Sequence, residues 1–438
     1  MSWQIIDIVY SGHWLMSSYN VKGFVQDYPG LGGGNFLSTF IGLMEDKNCK
    51  YIFDNDEFNR VANFTANRLI NDSKWRELVY KKIDYYTKQY FAAGEKFRKL
   101  PFSKLSNEKI IREINKIIPL QHWHHVYSVL VNGPTIDAKN HLTNKIRDEL
   151  QKEIKEVNKF NECWSLLTIP TKMSSHQKRD CAIAKLATQA NKKPKLFIQK
   201  QLKNLHEKYC WLDYTYLGPP ASFGQYKKDL KSAVNNNINI DLPKQLSGIQ
   251  KEQNNLIKKL KLSGRAKFLI HLTQGVLLQK GYRKDVQYHG FYCYEPLLKE
   301  LARRKKVEEW QLFSYLFPWE MADFIKTGRP TPAELKQRRH LSCYVVKKRT
   351  NKLLVGKKAR VFMNSLFFKK DNNDATETKG VTAYAGKVVG KVKIIRVPND
   401  MKKMNQGDIL LSQATTPDLL QAMKKSAAIV TNLGGLIC

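Results

Sequence analysis

Acidic residues are scarce in this chain: 39 Asp and Glu stand against 74 Lys and Arg, a formal charge of +35 over 438 residues. An excess of that size suits a partner rich in phosphate, either nucleic acid or small phosphorylated substrates. It also follows from a composition heavy in Lys, Asn and Ile. The basic residues spread along the whole length, densest in ARRKKVEE (302–309) and in 336–360, and they form no single long tail. Basic runs are commonly solvated faces, so a nucleic-acid-binding or scaffold protein is the lesser of two readings. Cysteine is sparse as well. Seven residues (Cys49, Cys163, Cys181, Cys210, Cys293, Cys343, Cys438) are scattered without a C-x-x-C. That spacing argues against a disulfide framework and a zinc ribbon, and it fits a reducing cytoplasm. Long apolar runs are missing too, so no spanning helix and no membrane partner is expected. The start, MSWQIIDIVYSGHW, has no basic region and is interrupted by Asp7, which makes a poor signal peptide. The expected location is the cytoplasm.

What is present divides into a mixed amino-terminal segment (1–53), a helical body (54–368), a polar joint (369–380) and a β-rich end (381–438). The Gly cluster PGLGGGNF (29–36) lacks the G-K-[ST] of a phosphate-binding loop and reads as a turn. In 72–97, Asp72 or Ser73 can cap a helix whose apolar face is Trp75, Leu78, Val79, Ile83, Tyr86 and Tyr90. Ser106 begins another helix, with a stripe through Ile110, Ile111, Ile114 and Ile118. Pro119 is expected to kink or end it, and Asn132-Gly133-Pro134 to break the chain. A further helix is expected around 267–287. In QHWHHVY (121–127), His122 and His125 share a helical face, but no further ligand set accompanies them; packing or hydrogen bonding is the expected role, and no metal is assigned. The aromatic run YCWLDYTYLGPP (209–220) reads as core rather than as a ligand platform. In TPAEL (331–335), Thr331 and Glu334 can form a capping box, and the preceding helix should stop at Gly328.

From about Thr376 the texture changes. GVTAYAGKVVGKVKIIRV (380–397) and GDILLS (407–412) read as strands. TTPDLLQAMKK (415–425) reads as a helix with Thr416 as N-cap, and AAIVTN (427–432) as a strand running into Gly434-Gly435. The fold class is therefore α+β: a mostly helical body followed by a small β/β/α end.

These motifs, in this order, resemble the mobile phosphohistidine domain of the phosphoenolpyruvate-utilising enzymes. Gly380, Gly386 and Gly390 match the family's opening strands, and Gly407-Asp408-Ile409-Leu410 its GDIL strand. Thr416-Pro417-Asp418 matches the T-P-[DE] helix start, and Ile429 to Asn432 with Gly434-Gly435 the IVTD-x-GG turn. The segment from about Phe268 to Gly328 is similar to the linker helices of the synthase-like members. The resemblance implies a swivelling carrier whose phosphorylated histidine would follow Leu436, Ile437 and Cys438, with Thr416, Thr431, Gly434 and Gly435 supporting the phosphoryl group. It implies a phosphotransferase of the pyruvate, water dikinase type, inactive over these 438 residues for want of that histidine. No cofactor is expected in this chain. Mg2+ and ATP or phosphoenolpyruvate are implied for the complete system, with a separate ATP-grasp nucleotide-binding protein or domain as partner and an unassigned acceptor. The polar segment KKDNNDATETKG (369–380) would be the hinge.

Overall fold

A computed structural model describes residues 3–9, 12–32, 34, 37–137, 139–155, 157–236, 238, 241–366, 386–395, 398–412 and 419–431. The chain divides into two compact units: Met1–Asn144 together with Cys293–Cys438, and Lys145–Tyr292. The class is α+β, a helical body with a small β-rich region.

The first unit is built on an antiparallel sheet in the order β1-β3-β2-β4-β5, formed by β1 (Trp3–Val9), β2 (Thr39–Glu45), β3 (Asn48–Asp54), β4 (Leu341–Lys347) and β5 (Asn351–Val355). β2 pairs with β4 from Thr39↔Lys347 to Glu45↔Leu341. The segments read as 1–53 and 54–368 thus share one sheet. The basic stretch 336–360 is largely a hairpin: the six residues Leu341–Val346 are buried, Lys336 lies in the helix before it, and the other lysines lie at and beyond the turn. β2 and β3 join through Asp46 and Lys47, both in the left-handed region (φ 44° and 70°), the backbone of a two-residue hairpin turn. The Asp46 N–H donates to the His340 carbonyl at 3.0 Å, so the turn also satisfies the end of the helix Pro332–His340, which leads into β4.

Both faces of this sheet are covered. On one, Ile41, Leu43, Ile52, Cys343 and Val345 meet Ala359 and Met363 of a helix, Lys357–Leu366. On the other lies the helix Trp14–Lys22. A Cβ on Gly42 would stand 2.9 Å from Val21 and 3.0 Å from Trp14, so this close approach needs glycine. Trp14 is fully buried, and its indole N–H donates to Ser342 Oγ at 2.9 Å.

Around the sheet, Asp72 caps the helix Ser73–Arg98 by accepting from the Trp75 N–H. Trp75, Val79, Ile83 and Tyr90 are buried as the periodicity predicts, whereas Leu78 is half exposed. Pro119 neither ends nor divides its helix, which runs from Asn107 to Asn132. Pro119 and Asn115, whose carbonyl loses its donor, both face solvent, where water can serve that carbonyl. The break at Gly133 falls where expected. So do the stop at Gly328 (φ 74°) and the Thr331–Glu334 capping box. Part of the basic density at 302–309 is structural. Glu300 binds Arg303 and Arg304, and Arg304 donates to the carbonyls of Phe102 and Leu105. Those two guanidinium groups hold the Glu300 carboxyl well down, to about 2.

The second unit is all helical. Gln253 donates to the carbonyls of Leu166 and Ile169, and Gln274 to that of Leu167, closing the end of the helix Val157–Thr168. Tyr209, Cys210, Trp211, Leu212, Tyr214 and Tyr216 are buried, so the aromatic run is core. Asp285 is buried beside Ser175 and Lys178, and burial lifts its carboxyl to about 6. The native state therefore keeps a proton that the unfolded chain releases near pH 4, and stability falls as pH rises from about 4 to 6. Asp285→Asn should flatten that segment of the pH–stability curve and raise stability at pH 7 by up to about 3 kcal/mol. Urea titrations of both proteins across pH 4–7 check this; parallel curves would contradict it.

Candidate functional site

The carboxyl-terminal β-unit carries the motifs that the sequence singled out. β6 (Val392–Ile394), β7 (Asp408–Ser412) and β8 (Ser426–Thr431) form a three-stranded parallel sheet in that order. A short helix, Leu420–Lys425, lies between β7 and β8 in the chain. The observed succession of strand, strand, helix and strand is the expected one. Within 386–395 the strand is shorter than expected, because residues 386–391 adopt no regular structure. Ile395, Met404, Leu410, Leu419 and Ala422 make the core on one face.

Two of the motif glycines have a geometric reason. Gly407 turns into β7 with φ 87°, a conformation that side-chain-bearing residues avoid. A Cβ on Gly390 would lie 2.6 Å from the Gly407 carbonyl oxygen, so the two glycines allow the strands to meet. Gly386 has open space around it and no such constraint. The Asp408 carboxylate, at the amino end of β7, accepts from the Asn405 N–H at 2.8 Å. The Gly407 N–H donates to the Lys425 carbonyl at 2.8 Å, and Lys425 Nζ to the Met404 carbonyl at 3.0 Å.

At the carboxyl edge of the sheet, Ser412 and Thr431 stand opposite each other in register. Ser412 is buried and Thr431 exposed. Open parallel sheets place ligands at this edge, outside the ends of the strands. Of the residues expected to support a phosphoryl group, Thr431 is therefore at this edge, three residues before Gly434 in the chain. Thr416, Gly434, Gly435, Leu436, Ile437 and Cys438 lie outside the described residues, as does the segment 369–380. Ser412 was legible in the sequence only as a strand residue; the pairing register is what sets it opposite Thr431.

The second face of the sheet is apolar from end to end. The register sets Val392, Ile409 and Ala428 in one row and Ile394, Leu411 and Val430 in the next. Val392, Ile394 and Val430 are each at least half exposed. Parallel sheets are ordinarily covered on both faces, and among the described residues nothing covers this one.

Elsewhere, His122 and His125 both pack against the Tyr19 ring, as their shared helical face implies, while their polar contacts and those of His124 differ. His122 Nε2 lies 3.1 Å from the Asp27 carboxylate, His124 Nε2 lies 3.3 Å from Ser128 Oγ, and His125 is buried against the Tyr19 ring.

No family model matches the chain. A segment of 60 residues, 14% of the chain, is 52% identical to a probable phosphoenolpyruvate synthase of Methanocaldococcus jannaschii, of which it covers 5%. The counterpart from Archaeoglobus fulgidus is 48% identical over 60 residues, 14% of this chain and 8% of that protein. The phosphoenolpyruvate synthase of Pyrococcus furiosus is 44% identical over 57 residues, 13% of this chain and 7% of that protein. Over that segment the chain resembles the phosphoenolpyruvate-utilising enzymes. The matched length is a small part of each relative and about the length of the run from Gly380 to Cys438.

The glycine geometry makes a graded prediction. Gly407→Ala, strained at positive φ, should cost about 1–2 kcal/mol, and Gly390→Ala should part the strands. Gly386→Ala should be neutral. Amide exchange in β7 and β8 should therefore quicken in the first two variants and not in the third. Equal exchange in all three would contradict the account.

Proposed function

We propose that the carboxyl-terminal unit belongs to a phosphoryl carrier of the phosphoenolpyruvate-utilising type, loaded at one site and unloaded at another. The observation that carries this reading is the 52% identity over 60 residues with a probable phosphoenolpyruvate synthase. The parallel β-β-α-β arrangement adds support, because Ser412 and Thr431 mark a carboxyl edge from which the Gly434-Gly435 turn follows directly in the chain.

In the family's pattern the residue next after Cys438 is the histidine. A neutral imidazole nitrogen attacks the phosphorus, the bond from phosphorus to the leaving oxygen breaks, and the phospho-imidazole later passes the group to an acceptor. Glycines before the histidine let backbone N–H groups approach the phosphoryl oxygens, and the Thr431 hydroxyl can donate from the strand end. ATP or phosphoenolpyruvate, with Mg2+, would supply the phosphoryl group in the complete system. Among the described residues of the unit, the carboxylates are Asp400, bound to Lys403, and Asp408, at the far end of β7 from the edge. Neither suits a metal–nucleotide site. A separate ATP-grasp nucleotide-binding domain or protein is thus the proposed loading partner, and 369–380, polar and almost free of apolar residues, the proposed joint.

The test is covalent labelling. The 438-residue chain should retain no acid-labile phosphate from labelled ATP or phosphoenolpyruvate. The product extended through a histidine after Cys438, given a nucleotide-binding partner and ATP, should retain it and lose it on substitution of that histidine. Acid-labile label on the 438-residue chain, or none on the extended chain, would contradict the proposal.

A further inference from the structure

Between Asp180 and Glu207 the helical unit has a stretch without a single acidic residue but with six lysines: Lys185, Lys192, Lys193, Lys195, Lys200 and Lys203. It covers most of the helix Ser175–Ala187, a turn, and most of the helix Lys195–Tyr209. The turn is tied down by its own backbone. The Thr188 N–H donates to Ala184, that of Ala190 to Ala187, and those of Lys192 and Lys193 both to Gln189, at 3.0–3.1 Å. The Ile198 N–H donates back to the Pro194 carbonyl at 3.2 Å. Beneath it, Leu186, Ile198 and Leu202 are buried. Above it, every residue from Asn191 to Phe197 is exposed. Leu196 is 79% exposed and Phe197 39%, although both belong to the apolar class that folding normally removes from water.

A lysine cluster alone is an ordinary solvated face. Here it surrounds a protruding aliphatic side chain and an aromatic one, on a turn whose hydrogen bonds keep both from folding inward. The two features call for different environments: the ammonium groups for a negative surface, and Leu196 for an apolar medium just beneath it. Nucleic acid satisfies the first and offers Leu196 nothing. An anionic bilayer satisfies both, with lysines at the headgroups and Leu196 and Phe197 at the acyl boundary. Among the described residues no helix is long and apolar enough to cross a membrane, so any such contact is at the surface.

We infer that the junction of these two helices, with Leu196 and Phe197 in the first turn of the second helix and Lys192, Lys193 and Lys195 around them, docks on the surface of anionic lipid bilayers. The expectation of no membrane partner rested on the lack of a spanning run, and a surface contact needs none.

Vesicle flotation tests this. In about 0.1 M salt the full chain should float with phosphatidylcholine vesicles containing about 30% phosphatidylserine, and not with phosphatidylcholine alone. Leu196→Asp with Phe197→Ser, and separately Lys192→Glu with Lys193→Glu and Lys195→Glu, should each weaken partitioning about tenfold with unchanged circular dichroism. The same charge change elsewhere in the unit, Lys152→Glu with Lys155→Glu and Lys159→Glu, separates a docking site from general attraction by a basic protein, and it should leave flotation near the wild-type level. Three results would overturn the inference. These are no flotation with the anionic vesicles, an equal loss in the control triple, or binding to single-stranded RNA with the same dependence on Leu196 and Phe197.

Discussion

Parallel pairing of β7 with β8 is the constraint on which the functional reading depends. Two parallel strands cannot be joined by a hairpin, so the chain must cross from the end of β7 back to the start of β8. That crossover brings Leu419 and Ala422 onto Leu410 and Ile395, and it returns β8 with Thr431 beside Ser412. Had the strands paired antiparallel, Thr431 would lie at the opposite end of β7, away from Ser412. At the other end, Gly390 permits β6 to approach β7 and Gly407 the entry into β7, where a Cβ would force β6 and β7 apart or strain the backbone. The register also lines up an apolar face whose described residues stand half in water.

The two units are organised by different means. In one, strands far apart in sequence pair through β2 and β4, and the sheet is buried on both faces. In the other, helix ends are closed by side-chain amides and the core is aromatic. A charge of +35 is compatible with both because arginines such as Arg304 are absorbed into carbonyl and carboxylate contacts. The lysines of the Lys195–Tyr209 region remain at the surface.

Local signals were legible where a side chain meets its own backbone: the Asp72 cap, the Thr331–Glu334 box, the stop at Gly328 and the break at Gly133. The antiparallel sheet was not. Its central strands are buried on both faces, which removes the alternation that marks a half-buried strand, and its tight turn uses Asp46-Lys47 rather than a glycine pair. β4 was hidden because lysines and arginines flank an apolar core of only six residues. Of the two expectations for Pro119, a kink or an end, the helix does not end there, since its exposed face lets water serve the carbonyl that loses its donor. Of the candidate site, the motif order and the edge residue Thr431 were readable. Ser412 was not, since only the pairing register brings it opposite Thr431.

The central claim is that the carboxyl-terminal unit is a folded body carried on a polar joint. Limited proteolysis of the full chain followed by amide exchange on the products tests it most directly. The account predicts a first cut between Asp371 and Glu377, and a small carboxyl-terminal product in which β7 amides remain protected. Resistance of that segment equal to that of the helices, or a released product with unprotected β7, would contradict it.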